Sequence, residues 1–292
     1  YAFAQVRVVS EGFGVNHLFL FWGFMFLLLM NLEFLISGIF PRFSFWFLGD
    51  FPYGVMLFMA DVMSVVVLVC VANAVIRRVF FRPAHIDPTA DAFVILGLVA
   101  ALMIAYFGYH ASEIRLGEKE IATWTMPVSF LLAPLFEGMT PEDAHVTARV
   151  FWWIHALVLL FFMNYLPYSK HMHILTAIPN IFFRSASFVN TVPRMIFRRG
   201  ERFGVAKIVQ YTWKDLLDFL SCTECGRCQA ACPAYNTQKP LNPRMVIHAG
   251  KLNLMENGRD ILAARPYDTI AQAPDKAEMS VALIDNRDES IA

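Results

Sequence analysis

The sequence predicts an all-α membrane protein: a bundle of four transmembrane helices followed by a small cytoplasmic segment. Three observations carry this. Of 292 residues, 57% are hydrophobic and only 16% charged, more apolar surface than one soluble core of this length hides. Four apolar runs approach the roughly 20 residues needed to cross a ~30 Å hydrocarbon core. Four of the five cysteines crowd between Cys222 and Cys232, too dense for a disulfide framework and suited to metal ligation in a reducing compartment. Lysine plus arginine and aspartate plus glutamate both number 24, so the charge balance gives no reason to invoke nucleic acid.

The apolar runs are His17–Ile39, Tyr53–Ile76, Ala92–Tyr109 and Val150–Tyr168. Ile121–Met139 is apolar too, but Pro127 and Pro134 break it, so it reads as a re-entrant or interfacial piece that does not span. The positive residues Arg77, Arg78 and Arg82, then Lys170, Arg184, Arg194, Arg198, Arg199 and Arg202, set their loops in the cytoplasm. The opposite loops carry Arg42, Arg115, Lys119 and Arg149, diluted by Glu113, Glu118, Glu120, Glu137, Glu142 and Asp143. Both termini are then inside. No basic leader precedes the first run, so the chain is expected to start within a longer gene product. The expected organisation is a membrane domain over 1–180, a basic amphipathic linker over 181–210, and a cytoplasmic segment over 211–292 whose polar tail, from about Leu252, has too few apolar residues for its own core. No internal repeat is present.

His155 and His173 lie 18 residues apart. At 100° per residue this is five turns, so an unbroken helix would project both from one face about 27 Å apart. Two imidazoles on one face at opposite membrane depths suit two stacked hemes, each completed by a histidine from a facing helix. His17 opens the first run level with His173 and is its expected partner for the inner heme. For His155 the candidate is His110, at the outer end of the third run, with His145 a distant alternative. The competing reading makes His173 an interfacial residue beside Lys170 and His171, and His155 a hydrogen-bonded bundle residue. His85 and His248 read as exposed.

The runs Trp153-Ile154-His155-Ala156-Leu157 and Leu166-Pro167-Tyr168-Ser169-Lys170-His171-Met172-His173-Ile174 resemble the last membrane helix of the respiratory nitrate reductase gamma subunit family of diheme cytochromes b. Ala90–Gly108 resembles the helix before it. The resemblance implies one heme ligand at His155 and one at His173. It also implies five spans, with a helix before the first one seen here, and a second ligand-bearing helix with histidines ten residues apart. His17 matches the first of these positions, and Leu27 stands at the second. The outer heme is therefore expected to use a ligand from elsewhere, such as His110, or to be absent.

The run Cys222-Thr-Glu-Cys225-Gly-Arg-Cys228-Gln-Ala-Ala-Cys232-Pro233 has the C-x2-C-x2-C-x3-C-P spacing of a [4Fe–4S] site, and makes the cytoplasmic part a ferredoxin-like iron–sulfur segment. Zinc more usually takes two separated C-x2-C pairs. In two-cluster ferredoxins the fourth cysteine ligates the other cluster, so a second motif is expected beyond Ala292 or in another chain. A lone cluster on Cys222, Cys225, Cys228 and Cys232 is the alternative. From Thr223 through Thr237, with Lys239-Pro240-Leu241, the sequence resembles membrane iron–sulfur oxidoreductases of the heterodisulfide reductase type, in particular the ETF:menaquinone oxidoreductase group. That resemblance implies a cytochrome b fused to [4Fe–4S] motifs and a further catalytic domain.

Glu33 and Asp61 fall in the outer halves of the first two runs, where an unpaired carboxylate is costly. Either could relay protons to a quinone; the competing reading is an interfacial Glu33 and an Asp61 hydrogen-bonded to a neighbour. Tyr106, Tyr109 and Trp153 could pack on a quinone or belong to an interfacial aromatic belt. Together these readings predict a respiratory oxidoreductase of the inner membrane. It would pass electrons between electron-transfer flavoprotein, or another cytoplasmic redox subunit, and menaquinone through [4Fe–4S] and heme b, one or two of each. Two alternatives are quinol oxidation feeding a cytoplasmic reductase, and a heme-free membrane anchor for an iron–sulfur partner. A histidine-relay transporter would show repeats and broken helices that this chain lacks.

Overall fold

The computed structural model describes residues 3, 5–9, 13–81, 89–117, 124–184, 205 and 208–263. Most of the 181–210 linker lies outside these residues, as do Arg82, His85, Arg194, Arg198, Arg199, Arg202 and the last stretch, 264–292. Among the described residues the chain is helical, with no strand. It divides into two compact units at Ser169/Lys170.

The first unit holds α1 (Val6–Val9), α2 (Gly14–Ile39), α3 (Asp50–Phe80), α4 (Ala90–Leu116), α5 (Pro127–Leu132) and α6 (Pro141–Tyr165). Four of these are long and apolar enough to cross a membrane: α2, α3, α4 and α6 with the 3₁₀ turn that follows it to Tyr168. They match the four expected runs. Large side chains such as Leu29, Val69, Ile104 and Leu157 remain exposed on their flanks, as expected where lipid rather than water faces the helices. Leu27, Ala60, Val67, Val71, Leu102, Met103 and Leu159 close the core between them. Where α4 and α6 pack, a Cβ at Gly108 would stand 2.6 Å from the Phe151 ring, so only glycine admits this approach.

The fourth helix begins nine residues before the apolar run. Thr140 Oγ1 accepts from the Asp143 amide at 3.2 Å, Pro141 occupies the first turn, and Glu142 and Asp143 complement the helix dipole. Its other end corrects an expectation. α6 stops at Tyr165, 3₁₀ turns run over Leu166–Tyr168 and Lys170–Met172, and a new helix starts at His173. Pro167 has no N–H to continue the ladder, so no single helix carries His155 and His173.

Ile121–Met139 crosses nothing. Among its described residues it forms α5 and a 3₁₀ turn over Ala133–Phe136, too short to span. Asp61, fully buried in α3, fixes it: Asp61 Oδ2 accepts from the Val128 amide at 2.6 Å and from the Ser129 amide at 3.2 Å, and Oδ1 accepts from Ser129 Oγ at 2.5 Å. At another point Asn73 Nδ2 donates to Asn16 Oδ1 and Asn16 Nδ2 to the Cys70 carbonyl, tying α2 to α3.

The second unit holds α7 (His173–Phe182), α8 (Trp213–Leu220), α9 (Arg227–Ala230), α10 (Pro233–Asn236) and α11 (Pro243–Ala263). From Leu252 the chain continues as helix through Ala263, with Asn253 buried, and α11 packs on α8.

Asp61→Ala is expected to destabilise the bundle by about 1–3 kcal/mol, because three donors lose their acceptor, and Asp61→Asn by less. Thermal melting of the detergent-solubilised chain measures this; an unchanged melting temperature in the alanine variant would show that Asp61 anchors nothing.

Candidate functional site

The four cysteines occupy a loop built for sharp direction changes. α8 starts with a reciprocal cap between Thr212 and Asp215 and buries Phe219 against Tyr211, ring centroids 4.9 Å apart. Beyond it, Glu224 and Gly226 both adopt the left-handed region, at φ 57° and 76°. The second turn caps α9, which carries Cys228, and Pro233 opens α10 directly after Cys232. Asn236 Nδ2 donates to the Ala230 carbonyl at 3.0 Å and fastens the far side.

None of the four is in a disulfide; Cys225 and Cys228 are exposed and Cys222 and Cys232 half-buried. Among the described residues no three His, Cys, Asp or Glu side chains converge on a single metal ion. A cubane poses a different test, since each thiolate binds a different iron. The donors around the sulfurs fit that group: the Glu224 amide donates to Cys222 Sγ and Arg227 Nε to Cys225 Sγ, both at 3.4 Å. Burial would raise the Cys225 thiol, but Arg227 outweighs it and holds the thiol below its ordinary value. Burial pushes the Cys222 thiol up, and the Glu224 amide partly offsets this.

Glu224 fixes the loop through its side chain. Lys170 Nζ donates to Glu224 Oε2 at 2.8 Å, and His248 Nδ1 stands 3.2 Å from Oε1, close in distance but poorly aligned for a hydrogen bond. His248, and after it Lys170, hold this carboxyl down at about 2 against the opposing effect of burial. His248 was expected to be exposed; it is half-buried against the loop. Lys251, from α11, donates to the Cys222 carbonyl at 2.9 Å. The sequence reading missed both residues, because a helix 20 residues downstream meets the loop only in three dimensions.

Three of the four candidate heme ligands share one feature. His17 Nδ1 donates to Gln5 Oε1 at 3.0 Å, His155 Nδ1 to the Leu102 carbonyl at 3.2 Å and His173 Nδ1 to the Lys170 carbonyl at 3.0 Å. A metal-ligating histidine characteristically gives its second N–H to such an oxygen, which fixes the tautomer with the Nε2 lone pair available. His17 belongs to the first unit and His173 to the second. Burial pushes the His173 imidazole down, against the pull of the Lys170 carbonyl.

The groups around His155 come from α2 and α4. His155 is buried, with Phe34 edge-on to its ring and Asn31 Oδ1 2.9 Å from Nε2. With Nδ1 donating to the Leu102 carbonyl, Nε2 is an acceptor, and the Asn31 amide serves it when turned to present its NH₂. His110 packs instead on Tyr106 and Tyr109, ring centroids 4.5 and 4.8 Å away, and follows Leu102 by eight residues, about 12 Å along α4. His145 is exposed near the start of α6. Among the described residues the partners of the His155 ring are thus Leu102, Asn31 and Phe34 rather than a second histidine. Leu27, ten residues after His17, lies in the apolar core, one turn before Asn31. Glu33 accepts from Ser44 Oγ at 2.6 Å and from the Phe45 amide at 2.8 Å. Like Asp61, it is engaged by a loop. Trp153 is exposed, whereas Tyr106 and Tyr109 are half-buried.

Helices able to cross a membrane, joined in one chain to a loop of [4Fe–4S] spacing, define an iron–sulfur protein carried on a membrane-type bundle. A 4Fe-4S binding domain family matches residues 213–234. The chain is 34% identical, over 94% of its length, to the "EtfAB:quinone oxidoreductase" of Syntrophomonas wolfei. It is 28% identical over 91% to the "Probable iron-sulfur-binding oxidoreductase FadF" of Bacillus subtilis. A 64-residue stretch is 38% identical to the "Probable membrane-anchored ferredoxin" of Chromohalobacter salexigens, covering 22% of this chain and 10% of that one. These relatives bear out the resemblance to ETF:quinone oxidoreductases, and the chain spans 38% of the length of each of the first two. No solved structure matches.

Gly226→Ala forces a side chain into the left-handed turn at a cost of about 1–2 kcal/mol. Reduced iron and sulfide per chain, with melting of the bundle unchanged, is the expected result; full iron loading would remove the turn as a requirement of the loop.

Proposed function

We propose that this chain carries electrons between a cytoplasmic donor, electron-transfer flavoprotein or a comparable redox subunit, and menaquinone in the inner membrane. The observation that carries this reading is the cysteine loop, with N–H donors on two of its sulfurs, in a chain whose four long helices suit a bilayer. The name of the Syntrophomonas wolfei relative supports both the quinone and the flavoprotein. A [4Fe–4S] cluster and heme b, when bound, supply one-electron steps that neither flavin nor quinone chemistry bridges alone across a membrane interface.

The chain's own residues divide the work. Cys222, Cys225, Cys228 and Cys232 hold the cluster, with a second cluster motif assigned to sequence beyond Ala292 or to another chain. Exposure of Cys225 and Cys228 suits access by a soluble donor. His17 and His173 are the proposed pair for an inner heme, supported by their matching depth in the sequence and by the oxygen that each engages with Nδ1. His155 is prepared in the same way but faces Asn31, so the reading adopts one heme. The iron–sulfur segment is cytoplasmic in this reading because Arg77, Arg78 and Lys170 lie at the same end of the spans.

The membrane-anchored ferredoxin among the relatives favours a second reading, an anchor without heme. A reduced-minus-oxidised visible spectrum of the purified chain separates the two. The first reading expects a b-type α-band that His17→Ala and His173→Ala each abolish, whereas Asn31→Ala leaves it in place. Cys225→Ser is expected to lose most iron–sulfur absorbance while the α-band persists. A wild-type chain without the band would leave the anchor.

A further inference from the structure

Lys251 is the one charged side chain classed as buried in the second unit among the described residues, at 4% exposure. Its ammonium donates to the backbone carbonyl of Cys222 at 2.9 Å. Two other lysines of this unit are met by acids, Lys170 by Glu224 at 2.8 Å and Lys214 by Asp218 at 2.7 Å, and Lys239 is exposed to solvent. No carboxylate pairs with Lys251 among the described residues. A single carbonyl is thin compensation for a cation removed from water, and buried charges are ordinarily paired.

The residue whose carbonyl holds the ammonium is itself the first cysteine of the loop, so the cation stands on the backbone of a cluster ligand. Four thiolates outweigh the positive charge of a [4Fe–4S] core, making the assembled site anionic, and more anionic once it takes up an electron. A buried cation acts on such a site far more strongly than a solvated one, because the dielectric screening is weaker. Arg227 also meets a sulfur, but its hydrogen bond to Cys225 is solvent-exposed.

We propose that Lys251 is the counter-cation of the cysteine loop: held on the Cys222 carbonyl, its ammonium offsets the negative charge of the bound cluster and raises the potential at which that cluster accepts an electron. The inference rests on the [4Fe–4S] reading above and deepens it by naming the residue that tunes the site. Lys251 is a positioning residue; it touches the loop's backbone and ligates nothing.

The test is a redox titration of the full-length chain, followed by electron paramagnetic resonance, with iron per chain measured alongside. Lys251→Gln keeps a hydrogen-bond donor and removes the charge, Lys251→Met removes both, and Lys251→Arg keeps both. The expected result is a lower midpoint potential in the glutamine and methionine variants, by about a tenfold change in the reduction equilibrium or 59 mV for one electron, and a midpoint near wild type in the arginine variant. Cluster loss in the two neutral variants with retention in the arginine variant also supports the counter-cation. An unchanged midpoint in Lys251→Gln overturns it, as does cluster loss in all three, which would mean that lysine's shape matters rather than its charge. Wild-type protein that binds no cluster after anaerobic reconstitution would overturn the underlying reading first, and is distinguished by its lack of iron.

Discussion

A carboxylate buried among apolar helices has to have its oxygens hydrogen-bonded, and the bundle is arranged around two that do. Asp61 has no exposed surface, yet its oxygens accept from two amides and a hydroxyl at the start of α5. Glu33 does the same for the turn between α2 and α3 through Ser44 and Phe45. In hydrocarbon each unsatisfied group is severely penalised, so each acid dictates where its irregular segment lies. The loops of the bundle are thereby fixed by buried carboxyl groups as well as by apolar contacts such as the buried Met126 and the Phe136–Phe151 pair. Both acids that the sequence offers as proton carriers are thus engaged by loops of the bundle.

The second unit applies the rule with the opposite sign. Its buried charge is a cation, Lys251, and the surrounding acids are already taken: Glu224 by Lys170 and the nearby His248, Asp218 by Lys214. Glu224 stays ionised well below neutrality because of those two bases, so it is a fixed anion that positions the loop backbone between Cys222 and Cys225. The loop therefore has its shape set by one satisfied ion pair, while one buried ammonium remains for whatever negative charge the sulfurs bring.

The parts legible in the sequence were those governed by composition and local spacing. Hydropathy alone located α2, α3, α4 and the core of α6, and the prolines at 127 and 134 correctly marked a segment that does not span. The start of α6 was missed because Pro141–Arg149 is too polar for a hydropathy window, although Thr140, Pro141 and Asp143 form a recognisable cap. Pro167 is equally visible in the sequence and breaks the 18-residue register that would otherwise place His155 and His173 on one helix. Lys251 and His248 had no signal at all: a polar residue on a helix with a weak apolar stripe gains meaning only from the loop it meets. Asn31 is similar, an amide that no periodicity distinguishes.

His17, His155 and His173 all give Nδ1 to an oxygen, so the tautomer does not separate them. Nε2 of His155 meets the Asn31 amide, one turn along α2 from Leu27, and packed Leu102 and Phe34 complete the surroundings. An amide can satisfy a neutral imidazole inside a bilayer without any metal, which makes the Asn31–His155 pair a self-sufficient polar bridge between α2 and α6. That bridge lies before the break at Pro167, whereas His173 opens α7 beyond it, so the two imidazoles belong to separately built elements.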